Sequence, residues 1–156
     1  MSARPLDLAA ASELLRLACQ RSLPEGALVV LELLGPVDRP PSPAALSLLA
    51  EEEQAHAGTL APRRARTYVA GRVALRAAIA ASGAEIAPGV ALLSDARGAP
   101  HLPPGVRGSI AHKDDVAVAL AAPGPGPSLG VDVEAERPLA AALGRARAAV
   151  LQAPPG

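Results

Sequence analysis

The sequence has almost no aromatic side chains. Among its 156 residues there is one Tyr, and there is neither Phe nor Trp. Half of the residues are apolar, so a core can be buried, but Ala, Leu and Val must build it without the large area that aromatic rings bury. The missing aromatics also remove the stacking surfaces on which single-stranded nucleic acids bind.

Cysteine, excess charge and long apolar runs are also lacking. Cys19 is the only cysteine, which excludes an internal disulfide. The 15 basic and 15 acidic residues balance, which argues against an extended nucleic-acid surface. No run approaches the roughly 18 apolar residues of a membrane span, and Asp7, Glu13 and Arg16 interrupt the N-terminal apolar residues that a signal peptide would need. A cytoplasmic protein that binds neither nucleic acid nor membrane is predicted.

Turn residues divide the chain into helices followed by an antiparallel meander. The patterns predict helices over about 7–20, 44–57, 63–81 and 138–151, and strands over 27–34, 90–93, 109–111, 116–122 and 129–134. This order predicts an α+β fold in which an antiparallel sheet packs against the long helix, and it argues against a parallel nucleotide-binding sheet. We divide the chain into an N-terminal segment (1–58), a core lobe (59–138) and a weak helix with a frayed tail (139–156).

A stripe of basic residues follows the longest predicted helix. Arg64, Tyr68, Arg72 and Arg76 are spaced by four, so they share one helix face. Each guanidinium can offer two donors to one phosphate, and the stripe could therefore hold a polyphosphate. The alternative is a solvated basic face. Such a face is also our interpretation of the acidic run at residues 51–53.

A Ser and a His lie close together at the end of a predicted strand. In the block GSIAH, Ser109 precedes His112 by three residues, and Lys113, the only lysine, follows. The Ser and His could both donate hydrogen bonds to an anion. The alternative is that His112 is structural or merely exposed, and that Lys113 points into water.

Two carboxylates alternate with valines in the block GVDVE. Asp132 and Glu134 are two residues apart, so on a strand they project from the same face. On an inner face they would need a partner, and Mg²⁺, which takes one or two carboxylates plus phosphate oxygens, would suit them. The alternative is an exposed sheet face. Together with the arginines and the Ser/His pair, these carboxylates fit a ligand with a magnesium-bound diphosphate.

Three blocks in this order resemble the 4'-phosphopantetheinyl transferases, and most closely the surfactin/enterobactin-synthetase type. They are RRARTYVAGRVALRAAI, DARGAPHLPPGVRGSIAHKDDVAVALAA and LGVDVEAERP, which lie within residues 63–138. The resemblance implies one lobe of that fold. It also implies transfer of phosphopantetheine from coenzyme A to a serine of an apo acyl or peptidyl carrier protein, as in polyketide, nonribosomal peptide or siderophore biosynthesis.

The resemblance also assigns roles to residues. It implies that Asp132 and Glu134 bind Mg²⁺ and that His112, with Ser109 behind it, contacts coenzyme A phosphates. Arg72 and Arg76, together with Arg64, would bind the side of the ligand that carries the 3'-phosphate. Residues 98–103 would border the adenine. Asp132, Glu134 and His112 are thus the expected catalytic residues.

One motif of that family has no counterpart in the sequence. Its members consist of two similar lobes, and the second contributes a Lys-Glu pair on a helix, whereas this chain continues after Pro138 as an Ala-rich stretch. Three interpretations stay open. The chain could act by self-association or with a separately encoded second lobe, it could be a truncated product that binds coenzyme A weakly, or it could be a carrier-protein-binding module.

Overall fold

Four strands form the central sheet of the protein. The computed structural model describes residues 6–87, 89–94, 99–135 and 146–152, with side chains up to Val133. The helices are α1 (Pro43–Leu46), α2 (Glu51–Gly58) and α3 (Pro62–Ser82), and the strands are β1 (Leu15–Leu23), β2 (Gly26–Leu33), β3 (Val106–Lys113), β4 (Val116–Pro123), β5 (Leu129–Ala135) and β6 (Ala146–Gln152). The sheet order is β1-β2-β4-β3, every pair is antiparallel, and β5 pairs with β6 in a second antiparallel sheet.

Helix α3 covers one face of the central sheet. It begins at Pro62, whose missing N–H costs nothing in the first turn, and ends before Gly83, which has the left-handed φ of +85° that glycine accepts readily. Val69, Val73 and Leu75 on α3 are fully buried in a core that the helix shares with the sheet. The predicted α+β fold, with its sheet against a long helix, is confirmed.

Small residues let the helix approach the sheet closely. A Cβ added at Gly108 of β3 would lie 2.9 Å from Leu75 Cδ1 of α3, and one added at Gly71 would lie 3.0 Å from Ile110 Cγ2. With few large side chains available, short distances between backbones supply the packing contacts that aromatic rings supply elsewhere.

Strand β4 is apolar on both faces because a second core lies behind the sheet. Val118 and Leu120 pack there with Leu129, Val131 and Val133 of β5, and all five are buried. The alternating residues Ala117, Ala119 and Ala121 face the core under α3. This second core holds β5 against the sheet. Strands β1 and β2 also lie in this one sheet with β3 and β4, so the first sequence segment and the core lobe share packing.

The prediction of a helix over residues 7–20 is wrong. A short 3₁₀ helix (Leu8–Ala11) is followed by strand β1, which forms a hairpin with β2 in which Leu23 pairs with Gly26. Pro24 lies in the turn of that hairpin and does not end a helix. Pairing with the strongly apolar β2 outweighs the helical spacing of leucines in this segment.

Three other boundaries also differ from prediction. The helix expected over 44–57 is two helices, α1 and α2, and residues 90–93 form no strand, although Ser94 makes an isolated bridge to Pro100. Residues 146–152 form strand β6 where a helix was expected, and residues 138–145 of that helix lie outside the described part of the chain.

The predicted turns hold. Asp114 and Asp115 connect β3 to β4, and Asp114 has the positive φ of 53° that two-residue hairpin turns favour. The Pro-Gly segment between β4 and β5 is a loop. Among the described residues, no helix is both long and apolar enough to cross a lipid bilayer.

Replacement of Gly26 by Ala should destabilise the fold. The added Cβ would overlap the carbonyl oxygen of Ala121 in the neighbouring strand β4. Because backbone atoms cannot swing aside, we expect a loss of about 1–3 kcal/mol in the free energy of unfolding. Urea titration followed by far-UV circular dichroism measures this loss. The control is Gly58→Ala, where the new Cβ meets nothing within 4 Å; equal stabilities of the two variants would contradict the packing of β2 on β4.

Candidate functional site

The arginine stripe of α3 passes from solvent into the protein interior. Arg64 is exposed in the first turn of the helix, and Tyr68 is half-buried one turn later. Arg72 is only 6% exposed, and the side chain of Arg76 is only 12% exposed. A solvated basic face is therefore excluded for Arg72 and Arg76.

The guanidinium of Arg72 binds the protein's own chain. Its Nε donates to the carbonyl oxygen of Leu92 at 2.6 Å, and a terminal nitrogen donates to the hydroxyl of Ser94 at 2.8 Å. The guanidinium carbon lies 4.7 Å from the centre of the Tyr68 ring, which is within the range of a cation–π contact. These contacts tie α3 to residues 92–94.

Arg76 forms a buried ion pair with Glu53 of α2. One of its terminal nitrogens donates to Glu53 Oε1 and also to the carbonyl oxygen of Val90, at 2.6 Å. Glu53 is completely buried, and the same carboxylate oxygen accepts the amide N–H of Ala50 at 2.9 Å, at the start of α2. The interpretation of residues 51–53 as a solvated acidic face is thus wrong for Glu53.

Tyr68 lies beside this ion pair. Burial raises the pKa of its phenol above the ordinary value, and Glu53 acts in the same direction, whereas Arg72 and Arg76 act to lower it. The ring of His56 is 4.8 Å away, centre to centre. The Tyr68 hydroxyl, Glu53 Oε2 and Arg76 Nε have no hydrogen-bond partner in the described part of the protein. We call Glu53, Tyr68, Arg72 and Arg76 the arginine cluster.

Ser109 and His112 project from opposite faces of β3. The hydroxyl of Ser109 accepts the amide N–H of Val131 at 3.4 Å, so it faces β5, whereas Ile110 packs over Gly71 of α3. Successive residues of a strand alternate, so His112 is on the side of Ile110, at the exposed end of the strand. Because Ser109 and His112 are three residues apart, the two side chains that we expected to act on one anion lie on opposite faces of the strand.

Asp132 is exposed on the outer side of β5. Val131 and Val133 on either side of it are buried against the sheet. The exposed-face alternative therefore applies to Asp132. Glu134 lies two residues further along the same strand, and its side chain is outside the described part.

The described part of this strand offers one carboxylate, Asp132, to a metal ion. Among described side chains, no three His, Cys, Asp or Glu residues form a metal-binding group. An exposed carboxylate is a hard oxygen ligand, and Mg²⁺ commonly uses one or two of these and takes its other ligands from phosphates and water. Asp132 is accessible for such binding.

A cavity of about 440 Å³ lies at the N-terminal end of α3. Its lining is Leu33, Val37, Arg63, Arg66, Thr67, Asp114 and Asp115. Arg66 is buried and donates to the carbonyl oxygens of Leu34 and Gly35 at 2.9 and 3.5 Å, so it anchors the end of β2. Carboxylates and guanidinium groups share this cavity, and they balance each other's charge.

Sequence reasoning missed the acceptors of the arginine cluster. Glu53, Leu92 and Ser94 lie 23, 20 and 22 residues from their partners in the chain, and nothing local marks them. The one available signal was Glu53 at the third position of a helix, where a carboxylate often binds the backbone N–H that precedes the helix.

Residues 51–122 match the family model of the 4'-phosphopantetheinyl transferase N-terminal domain. The matched range is just under half of the chain. It runs from the start of α2 into β4, and so contains the arginine cluster, Ser109 and His112, and it ends before Asp132 and Glu134. No curated protein matches the chain. The match supports the 4'-phosphopantetheinyl transferase superfamily, and the surfactin/enterobactin-synthetase subtype stays a prediction.

The sole tyrosine gives a direct readout of the arginine cluster. In the urea-unfolded chain the absorbance of Tyr68 should titrate with a midpoint near 10. Because burial penalises the phenolate, we expect a higher midpoint in the folded protein. The folded state then holds the phenol proton more tightly. The contribution of Tyr68 to the free energy of unfolding is therefore full below pH 10, and it is lost as the pH rises through the folded pKa. Circular dichroism at each pH defines the folded range. A midpoint at or below that of the unfolded chain would contradict the burial of Tyr68.

Proposed function

We propose that this chain is a 4'-phosphopantetheinyl transferase lobe that transfers phosphopantetheine from coenzyme A to a serine of an apo acyl or peptidyl carrier protein. The observation that carries the proposal is the family match over residues 51–122, which covers the long helix and the β3–β4 hairpin. Two of the three sequence blocks that resemble these enzymes lie entirely within this range.

The exposed basic side chains of the matched region are the proposed phosphate ligands. Arg64 is exposed on α3, and His112 is exposed at the end of β3, so each can donate to an anion without breaking an internal contact. Charge-assisted bonds of this kind contribute about 1.5–3 kcal/mol each. Ser109 lies on the other face of β3, so it does not share an anion with His112; its hydroxyl retains a hydrogen to donate beside the backbone of Val131.

Asp132 and Glu134 are the proposed magnesium ligands. Both residues lie on β5, and the bond from the Val131 amide to the Ser109 hydroxyl joins this strand to the strand of the His block. A bound Mg²⁺ would neutralise the diphosphate and stabilise the charge on the leaving adenosine 3',5'-bisphosphate. The task of Asp132 is to hold the metal ion at the outer side of β5.

The reaction exchanges a phosphoanhydride bond for a phosphate ester bond. The serine oxygen of the carrier protein forms a bond to the phosphorus that bears the pantetheine, and the bond from that phosphorus to the bridging oxygen of the diphosphate breaks. The serine proton is released to solvent, and adenosine 3',5'-bisphosphate leaves with the bridging oxygen. Arg64 and His112 orient the phosphates and reduce repulsion between them and the attacking oxygen.

Coenzyme A binding should depend on both Mg²⁺ and Asp132. We expect Asp132→Asn to weaken binding at least tenfold in the presence of Mg²⁺, because the substitution removes a charged ligand worth more than about 1.4 kcal/mol. The fold should be unchanged because Asp132 is exposed. Titration calorimetry with and without EDTA measures the affinity.

The matched control is Asp38→Asn, an equally exposed carboxylate in the loop after β2. It should bind coenzyme A as tightly as the unaltered chain. Unaltered protein that binds no coenzyme A, or that binds equally well in EDTA, would overturn the proposed function. Equal affinities of the two variants would overturn the metal assignment.

A further inference from the structure

Two guanidinium groups of α3 act as donors to an irregular segment of the chain. Arg76 donates to the carbonyl oxygen of Val90, and Arg72 to the carbonyl oxygen of Leu92 and the hydroxyl of Ser94. The acceptors are thus at every second residue of the segment 90–94. The arginines provide hydrogen bonds that a neighbouring strand would otherwise supply.

Among the described residues, these bonds are the main hydrogen bonds of the segment. Residues 90–93 belong to no helix or strand. The described contacts of its far end are the bridge between Ser94 and Pro100 and the bond from the His101 amide to the carbonyl oxygen of Leu93, at 2.6 Å. Through these contacts the segment fixes the residues that lead into β3.

The same arginines are poorly placed to bind a ligand directly. Arg72 is covered by the Tyr68 ring and is 6% exposed, and Arg76 is ion-paired with the fully buried Glu53. An incoming phosphate would have to displace Glu53 and leave its carboxylate buried and unpaired, which is strongly unfavourable. Phosphate binding by the exposed Arg64, which lies one stripe position before Tyr68, carries no such cost.

We propose that Arg72 and Arg76 are positioning residues that shape the ligand site by fixing residues 90–94 and 99–101, and that neither touches a phosphate of the ligand. The inference rests on the proposed function in that the ligand is coenzyme A. It replaces the direct contact to the 3'-phosphate expected from the sequence, and it leaves that role to Arg64.

Two ligands that differ by one phosphate separate positioning from contact. We expect Arg72→Lys to weaken the binding of coenzyme A and of 3'-dephospho-coenzyme A by the same factor, about threefold to tenfold, so that their affinity ratio is unchanged. Lysine keeps the charge but cannot donate to two acceptors in the geometry of a guanidinium. In Arg64→Gln the ratio should fall toward one. A ratio that falls toward one in Arg72→Lys would overturn the proposal.

Ser94→Ala is the milder companion variant. It removes only the exposed hydroxyl that Arg72 binds and leaves the charge of the cluster unaltered, so the fold is retained even if Arg72→Lys unfolds. We expect the same parallel loss for the two ligands, of smaller size. Unchanged affinity for both ligands in Ser94→Ala and in Arg72→Lys would overturn the positioning role.

Amide hydrogen exchange tests the inference without any ligand. Exchange at the His101 amide should be faster in Arg72→Lys and Ser94→Ala than in the unaltered chain, and unchanged in Arg64→Gln. If the unaltered chain binds neither ligand, the proposed function fails, while the exchange data still decide whether the arginines hold the segment. Identical exchange at His101 in all four proteins would contradict the inference.

Discussion

The structure depends on one buried ion pair. Glu53 is a fully buried carboxylate in a core of small aliphatic residues, and Arg76 satisfies it while also donating to Val90. Loss of either partner would leave a buried charge, at a cost of about 3–5 kcal/mol. Because Glu53 also accepts the amide of Ala50, this single pair connects the start of α2, the middle of α3 and the irregular segment before β3.

A core without Phe or Trp explains why such polar links are needed. Glycine and alanine bring α3 close to the sheet, and β4 is buried on both faces by α3 and β5. The irregular segment inserts only one fully buried side chain, Leu92, into this core. The described hydrogen bonds between this segment and α3 come from arginine, and because such bonds are directional they fix the path of the segment.

The elements defined by short apolar runs between turn residues could be predicted from the sequence. Helix α3, strands β2 to β5 and the turn at Asp114 and Asp115 follow from such local signals. Strand β1 could not be predicted, because its pairing with β2 is a tertiary effect that overrides helical spacing. The predicted helical spacing of the arginine stripe agrees with the structure. The burial of Arg72 and Arg76, however, depends on Glu53 and on residues 90–94, which are distant in sequence. The separation of Ser109 from His112, by contrast, could have been predicted from the alternation of side chains along the strand.

Intact-mass spectrometry of a carrier protein tests whether this lobe transfers phosphopantetheine. Purified chain, coenzyme A, Mg²⁺ and an apo carrier protein are incubated together, with EDTA in a second tube and an active enzyme of the superfamily in a third. We predict that the carrier gains the mass of one phosphopantetheine group with Mg²⁺ and gains none with EDTA. A carrier that stays unmodified by this chain, while the third tube is fully converted, would contradict it.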